Sequence, residues 1–275
     1  MKKYLIGIAF LLGALITLSV LLYPIVANYV NSQNQSRAVA GYLADVAVID
    51  ESEKLAMLEN ANEYNHWLLY KSNRFFFTPE ETEHYNQQLD TGHGVMGVLE
   101  IDRINVKLPI FHGTDENVLQ VGIGHMQNTS LPMGGIGSHV YITGHRGLPS
   151  SKLLTNLDKL AEGDLFALYI LGDVLSYQVD EIKTVLPEEA DAITIDPEMD
   201  YCTLVTCTPY GVNTHRLLVR GHRVEIAIAE TFAADAHRLD MQLALLLLLL
   251  PALLVLLILA AVKCIKISKG GKAKW

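Results

Sequence analysis

Two long apolar runs, one near each end of the chain, constrain its fold more than any other feature of the sequence. The first, Tyr4–Ala27, contains no charged residue, and the second, Met241–Val262, contains one strongly polar side chain, Gln242. Each run exceeds the roughly 20 residues that a helix needs to cross a bilayer. Pro251 lies inside the second run, but a spanning helix tolerates proline where neighbouring helices or water satisfy the freed backbone groups. The sequence therefore predicts two transmembrane helices.

The first run also has an alternative interpretation, a cleaved signal peptide. Lys2 and Lys3 resemble the positive region that precedes the apolar core of such a peptide. Against this, the run is longer than the usual core of about 7–15 residues, and its end, Ile25-Val26-Ala27, is a poor match to a small-residue cleavage site. The sequence therefore favours an uncleaved membrane anchor.

The charges at the two ends predict the orientation of the chain in the membrane. Residues 1–30 and 241–275 contain no acidic residue but seven lysines, which are Lys2, Lys3, Lys263, Lys266, Lys269, Lys272 and Lys274. Because basic flanks stay on the cytoplasmic side, we expect both termini in the cytoplasm and residues 31–240 outside the cell. This outer segment has 14 basic and 30 acidic residues, a net charge of −16. Such a charge argues against a nucleic-acid partner, which needs a basic face for phosphates.

The outer segment divides into a helical part and a β-rich part. Residues 36–70 carry apolar side chains at helical spacing, with an acidic break at 50–53. Short β-like runs separated by turn residues follow Gly94; they are Val95–Ile101, Val106–Phe111, His139–Thr143, Leu165–Leu171, Leu175–Val179, Cys202–Cys207 and Leu217–Val219. One further helix is predicted to begin at Ser150 or Ser151 and to end at Gly163. Many short strands with few helices predict a closed or nearly closed β-barrel.

The cysteines of the outer segment are predicted to be free thiols. Cys202 and Cys207 lie in one predicted strand, where five residues separate them by about 16 Å and place them on opposite faces. A disulfide requires Cα atoms within about 7 Å, and Cys264 lies on the cytoplasmic side of the predicted second span. Because structural cysteines outside the cell are usually paired, free thiols there need a functional explanation.

Cys207 and Arg216 are the first candidates for such a function. The strand that ends at Cys207 is followed by a turn containing Pro209 and Gly211, and Arg216 begins the next β-like run. If the two strands are antiparallel, the guanidinium lies within reach of the thiol, where it favours the thiolate and stabilises an oxyanion. The alternative is a thiol that only packs in the core, which is the usual place of a free cysteine.

His145 is the histidine best placed to complete this site. It follows a predicted strand end and lies between Gly144 and Gly147, which leave room for a substrate, so it is a candidate to protonate a leaving amine. His139 in the same strand is the main competing candidate. No His, Cys or acidic cluster has the spacing of a structural zinc site. The glycines of residues 134–137 lack the strand–turn–helix setting of a nucleotide-binding loop, so we predict neither metal nor cofactor.

These residues resemble the signature of the sortase family. Thr203–Cys207 followed by Arg216 is similar to the TLxTC…R pattern of sortases, and Tyr141–His145 (YITGH) is similar to their catalytic-histidine segment. Similarity to class C, pilus-assembling sortases extends to residues 94–114, residues 129–132 and the C-terminal apolar run with its lysine tail. The resemblance covers roughly residues 36–265.

The resemblance implies a fold and a reaction. It implies a mainly β fold, the sortase-type eight-stranded β-barrel, with an N-terminal helical extension and the two transmembrane helices. It also implies a membrane-anchored cysteine transpeptidase of the Gram-positive cell envelope, with Cys207 as nucleophile, His145 as general acid/base and Arg216 as oxyanion stabiliser. The implied substrate is an LPxTG-like sorting signal of a pilin, which is cleaved between Thr and Gly and joined to a lysine of the next pilin.

One feature of class C sortases is missing from this sequence. Those enzymes typically carry a lid with an Asp-Pro-aromatic motif upstream of the barrel, and residues 31–94 contain no such tripeptide. The nearest candidate is the segment around Arg74, Phe75, Phe76 and Phe77. We treat these four residues, together with Thr206 next to the nucleophile, as candidates for contact with the substrate or as part of a lid.

The predicted organisation has six parts, and two other functions remain open. The parts are a lysine-flanked membrane span in residues 1–30, a helical extension with a lid-like region in 31–93, the catalytic barrel in 94–230, a linker in 231–240, the C-terminal span in 241–262 and a basic cytoplasmic tail in 263–275. One alternative function is a sortase that attaches surface proteins to peptidoglycan, for which the same three side chains serve. The other is a non-enzymatic membrane scaffold for pilus or wall assembly.

Overall fold

The computed structural model describes residues 2–190 and 192–225. Its helices within these residues are α1 (Lys2–Val46), α2 (Glu51–Tyr70), α3 (Pro79–Asn86), α4 (Glu116–Leu119) and α5 (Pro187–Ala190). The break between α1 and α2 lies where the sequence predicts it, because the Asp50 side chain accepts a hydrogen bond from the backbone N–H of Glu53 and so caps α2. The barrel belongs to a compact unit that begins at Val30, and the part of α1 up to Tyr29 belongs to a separate unit.

Eight strands form a closed barrel in the order β1-β2-β3-β4-β7-β8-β6-β5. They are β1 (Val95–Ile101), β2 (Val106–His112), β3 (Ile123–His125), β4 (Ser138–Thr143), β5 (Leu165–Ile170), β6 (Asp173–Val185), β7 (Asp200–Thr208) and β8 (His215–Arg223). Neighbours are antiparallel except β2–β3 and β4–β7, which are parallel. The eight-stranded barrel and the N-terminal helix confirm these two parts of the predicted fold. Strand β3 is not among the predicted strands, because three residues are too few to show an alternating pattern.

Alternation along β7 sends its side chains to two different environments. Cys202 and Leu204 lie in the main core inside the barrel, where the rings of Phe166 and Tyr177 stack with centroids 5.5 Å apart. Val205 points to the other face and packs in a small outer cluster. Cys202 is therefore buried, whereas Cys207 on the outer face is half-buried, and both are free thiols as predicted.

Helix α1 packs on the outside of the barrel through Val39 and Tyr42. Both residues are buried against Val98 of β1 and Tyr169 of β5. The Tyr42 hydroxyl donates to the carbonyl oxygen of Met96 at 3.3 Å and accepts from the backbone N–H of Leu171 at 2.8 Å. These two hydrogen bonds attach α1 to β1 and to the residue that follows β5.

Helix α3 lies in a polar stretch in which no apolar periodicity is visible. Its start nevertheless has a sequence signature, because Thr78 and Glu81 form a reciprocal capping box and Pro79 occupies the first turn. The buried Tyr85 joins this helix to the barrel, since its hydroxyl lies 2.9 Å from Nδ1 of His125 in β3. Helix α3 is thereby fixed to the barrel wall by a side chain that no periodicity argument identifies.

The helix predicted between Ser150 and Gly163 is not formed. The segment consists of turns and one 3₁₀ turn at Leu157–Lys159, and Leu153 has a φ of 36°, in the left-handed region. Its backbone N–H groups bond to carbonyls three residues back, as from Leu157 to Leu154 at 3.0 Å. The leucine face of the prediction is buried, as expected. The prediction was therefore right about burial and wrong about backbone conformation, because a leucine spacing of three to four residues is also satisfied by successive turns.

Among the described residues, one helix is long and apolar enough to cross a membrane. It is the segment Leu12–Val46 of α1, which meets this criterion by length and composition near the N-terminus, where a signal sequence would meet it too. The predicted linker 231–240, the second span 241–262 and the tail 263–275 lie outside the described residues. The structure therefore supports an N-terminal membrane anchor and leaves the two-span topology a prediction.

Candidate active site

Cys207 and Arg216 face each other across two antiparallel strands. Strands β7 and β8 pair from Tyr201 with His222 to Thr208 with His215, and in this register Cys207 is directly opposite Arg216. Side chains in such positions have Cβ atoms about 4.5–5.5 Å apart. The Arg216 guanidinium donates to the main-chain carbonyls of Asn213 and His215, which hold it within the β7–β8 turn. The two residues that the sequence pairs by a spacing of nine thus become direct neighbours.

His145 reaches the same end of the barrel from the parallel strand β4. The β4–β7 register ends with Thr143 beside Val205, and the N–H of Gly144 continues it by donating to the Val205 carbonyl at 3.1 Å. Extending this register by two residues brings the backbone of His145 to the level of Cys207. Neighbouring strands in a sheet lie about 4.8 Å apart. The strand register therefore brings the backbone at Cys207, Arg216 and His145 to the same end of the barrel.

Thr206 connects the two segments from inside the barrel. Its side chain is 1% exposed, and its hydroxyl donates to the Gly144 carbonyl at 2.7 Å. An added Cβ at Gly144 would lie 2.7 Å from the Ile123 side chain, so this position needs a residue without one. Thr206 therefore holds the residue before His145 instead of presenting its side chain at the surface.

The imidazole of His145 is partly open to solvent. Its side chain is 26% exposed, and Nε2 lies 3.6 Å from Oε2 of Glu116, which is itself largely exposed. Nε2 itself is buried and has no hydrogen-bond partner within the described residues. Because no hydrogen bond there uses this nitrogen, it is the candidate to exchange a proton with a bound substrate.

The loop between β6 and β7 covers the outer face beside the site. Ile193 of this loop is buried against Tyr141 of β4 and Val205 of β7. Arg74 donates to the Ile193 carbonyl at 3.3 Å and so attaches the segment after α2 to the loop. Phe75 and Phe76 are 63% and 66% exposed. Their rings point into solvent and do not fill a groove in this conformation.

Phe77 differs from its two neighbours because it packs inward. Its ring centroid lies 6.4 Å from that of Trp67, and Lys71 Nζ lies 5.1 Å from the Phe77 ring centroid. Phe77 also packs against the main core. It therefore anchors the segment that carries the two exposed rings.

His139, the competing candidate, uses both ring nitrogens inside the protein. Nδ1 lies 2.7 Å from the Thr194 carbonyl, and Nε2 lies 2.8 Å from the Thr203 hydroxyl. Burial lowers the pKa of this imidazole to about 4. His139 is therefore a neutral structural residue at neutral pH.

His125, which is not among the residues predicted for the site, is completely buried. Its Nδ1 lies beside the Tyr85 hydroxyl and its Nε2 lies 2.8 Å from the Ser130 carbonyl, so the neutral form with a proton on Nε2 satisfies both contacts. Burial lowers its pKa to about 4. No sequence signal identifies this residue, because its partners come from α3 and from the loop that follows β3.

We expect the free energy of unfolding to fall as the pH is lowered from 7 to 5. Below pH 6.5 the unfolded chain takes up protons at His125 and His139, whereas the folded chain, with pKa values of about 4, does not. The loss should be roughly 2 kcal/mol for each histidine over this interval. Urea unfolding of the full chain in detergent at several pH values measures it. His125→Gln should reduce the slope, whereas His66→Gln, at an exposed position, should not; equal slopes in all three proteins would contradict the assignment.

Comparisons with known proteins identify the family. A sortase-domain model matches residues 99–224. The crystal structure of sortase C1 from Streptococcus agalactiae is 48% identical, with a TM-score of 0.66, and the match covers 69% of this chain and 99% of that one. Sortase C1 of GBS pilus island 1 is 36% identical, with a TM-score of 0.63, and the match covers 72% of this chain and 95% of that one.

A third similar structure contains a peptide motif. Sortase C of Clostridium perfringens with the C-terminal cell wall sorting motif is 38% identical, with a TM-score of 0.60, and the match covers 70% of this chain and all of that one. Against curated sequences the match is shorter: the chain spans 63% of the length of a sortase to which it is 30% identical over 131 residues. The chain belongs to the sortase family of cysteine transpeptidases, and its similar solved structures are class C sortases.

Proposed function

We propose that Cys207 is the nucleophile of a transpeptidase that acts on LPxTG-like sorting signals. The observation that carries this proposal is the convergence of three strand ends, which sets Cys207 opposite Arg216 and at the level of His145. A thiol beside a guanidinium is favoured as thiolate, the form that attacks carbonyl carbon. The similar C. perfringens structure with a sorting motif supports this class of substrate.

The proposed reaction has two halves that share one thioester. The Cys207 thiolate attacks the threonine carbonyl, Arg216 stabilises the oxyanion, and the bond to glycine breaks as His145 protonates the leaving amine. A lysine amine then attacks the thioester and gives up a proton to His145. The thiolate leaves, and an isopeptide bond remains. Splitting the transfer in this way replaces one difficult step by two easier ones.

The acceptor is proposed to be a lysine of the next pilin subunit. This choice follows the class C resemblance and the pilus-island sortase among the similar structures. The alternative acceptor is a peptidoglycan peptide amine, because the same three side chains would serve it.

In either case α1 would anchor the enzyme at the cell membrane. We propose that a second span at 241–262 keeps both termini in the cytoplasm and the barrel outside, where enzyme and substrate in one bilayer meet at a high effective concentration.

The segment from Arg74 to Phe77 is proposed to border the substrate site as a movable cover. Arg74 attaches it to the β6–β7 loop, and Phe77 anchors it beside Trp67. Phe75 and Phe76 are exposed, so the cover is proposed to be open in this conformation. The buried Thr206 is proposed to position Gly144 ahead of His145.

Intact-mass spectrometry tests the proposed function. The full chain in detergent, incubated with an LPxTG-type peptide, should gain the mass of the acyl fragment and release the glycine-containing fragment. The Phe75→Ala/Phe76→Ala variant should acylate at a different rate if the segment covers the site. Competition between a pilin lysine peptide and a wall-peptide amine then identifies the acceptor. No adduct with any LPxTG-type peptide would contradict the proposed substrate class, and preferential transfer to the wall amine would favour the peptidoglycan alternative.

A further inference from the structure

The side chain of Arg146 connects the strand that carries Cys207 to the run of turns that follows Ser151. Arg146 directly follows His145, and its side chain is 8% exposed. One terminal nitrogen, Nη1, donates to the Thr208 hydroxyl at 3.1 Å, and the other, Nη2, donates to the Asp158 carboxylate at 2.5 Å. Thr208 directly follows Cys207. One guanidinium therefore joins the residue after the imidazole to the residue after the thiol.

The backbone on both sides of Arg146 is held by the same neighbouring segment. The carbonyl oxygen of His145 accepts from the N–H of Leu154 at 3.3 Å. The N–H of Gly147 donates to the Thr155 hydroxyl at 3.2 Å. Both partners, the Leu154 N–H and the Thr155 hydroxyl, lie in the run of turns that replaces the predicted helix. Two hydrogen bonds from this run of turns therefore hold the backbone of residues 145–147.

Gly147 adds a contact to the loop after Cys207. Its φ of 78° lies in the left-handed region, and the ring of Tyr210 lies 3.2 Å from where a Cβ would be. The β7–β8 turn, which holds Arg216, therefore rests directly on the turn that follows Arg146. Both loops of the site are in contact through Gly147 and Arg146.

The geometry of Arg146 requires a forked side chain. The two terminal nitrogens of a guanidinium point to separate acceptors at the same time, whereas a lysine ammonium is a single point charge on a flexible stem. Asp158 is the counter-ion, with its side chain 45% exposed. Because the guanidinium is largely buried, losing either acceptor leaves a donor without a partner, which is costly away from water.

We propose that Arg146 is a positioning residue, which fixes the distance between His145 and Cys207 by bridging Thr208 and Asp158. The proposal rests on the proposed function, because it gives His145 and Cys207 the acid/base and nucleophilic roles. The side-chain hydrogen bonds of Arg146 go to Thr208 and Asp158, so its proposed action is on the positions of the two reactive side chains. A displacement of about 1 Å between reacting groups is enough to slow a reaction about 100-fold, so a side chain that sets this distance acts on kcat.

Three single variants and one double variant of the full chain in detergent test the proposal. Arg146→Lys keeps the positive charge, Thr208→Val removes the bridging hydroxyl, and Thr208→Ser retains it as the matched control. We expect kcat for acyl transfer, per thiol titrated with an alkylating reagent, to fall about 10- to 100-fold in Arg146→Lys, with KM changed much less. Thr208→Ser should keep nearly all of the activity that Thr208→Val loses. The double variant Arg146→Lys/Thr208→Val should be no slower than Arg146→Lys alone, because both remove one bridge.

A merely structural role predicts a different pattern. It would lower the melting temperature and the number of titratable thiols but leave kcat per thiol unchanged, and that result, or additive effects in the double variant, would overturn the proposal. Amide hydrogen exchange gives a readout independent of activity: Arg146→Lys should increase exchange in residues 144–150 and 208–214 and leave β5 unchanged. Unchanged exchange in the first two segments would also overturn it. A wild-type enzyme that forms no acyl adduct, yet shows this exchange pattern in the variant, would contradict the proposed function and leave the bridge itself established.

Discussion

Replacing Cys207 by alanine is expected to abolish the covalent adduct with an LPxTG-type peptide while the barrel stays folded. The thiol is half-buried at the end of β7, on the outer face of the barrel, so its loss leaves the main core untouched. Without a sulfur atom no thioester forms, and both halves of the proposed reaction stop. The expected fall in peptide turnover is to the uncatalysed background, as measured by intact-mass spectrometry and by release of the glycine-containing fragment.

Cys202→Ala is the matched control for this experiment. Cys202 lies five residues earlier in the same strand, but it is fully buried among core side chains, and burial raises the pKa of its thiol well above the usual value. This variant should lose some stability and still form the adduct. An adduct that persists in Cys207→Ala and disappears in Cys202→Ala would contradict the assignment of the nucleophile. Turnover that is unaffected by either change would show that neither thiol is the nucleophile, whereas a wild-type protein without any turnover would favour the scaffold interpretation.

Replacing Arg216 by alanine is expected to slow acylation by about 100- to 1,000-fold, the usual effect of removing one oxyanion donor. Arg216 is the direct cross-strand neighbour of Cys207, and its guanidinium is held by the carbonyls of the β7–β8 turn. The loss should therefore fall on the rate of thioester formation in a single-turnover measurement. Arg216→Lys should retain part of the rate, because lysine keeps the positive charge but lacks the oriented N–H donors of the guanidinium.

Arg103→Ala controls for the general loss of a positive charge. Arg103 is an exposed residue that pairs with Asp164, and surface pairs of this kind contribute little to stability. Its loss should leave the acylation rate near the wild-type value. An Arg216→Ala protein with wild-type acylation and an altered acceptor step would remove Arg216 from the first oxyanion and assign it to acceptor binding.

Much of this fold is predictable because its strands are individually apolar. Seven of the eight strands follow from short β-like runs between turn residues, and the break between α1 and α2 follows from the acidic residues around Asp50. The short β3 is not predictable in this way, since three residues show no period and its central position depends on pairing with β2 and β4. For the segment after Ser151 the sequence pattern predicts a helix, and the structure has a run of turns. Its leucines have a helical spacing, but its hydrogen-bond groups serve the His145 segment.

The sequence by itself identified the candidate catalytic residues of this protein, and the tertiary structure decided their geometry. Cys207, His145, Arg216 and the apolar N-terminal run are local features, readable because each has a distinctive neighbourhood along the chain. His145 lies at the level of Cys207 because β4 and β7 pair in parallel, although their paired residues are about 60 positions apart in the sequence. The Arg146 bridge and the buried His125 likewise join residues that are distant in sequence. Such contacts form only when the barrel closes, because closure, and not local propensity, sets which strand ends meet.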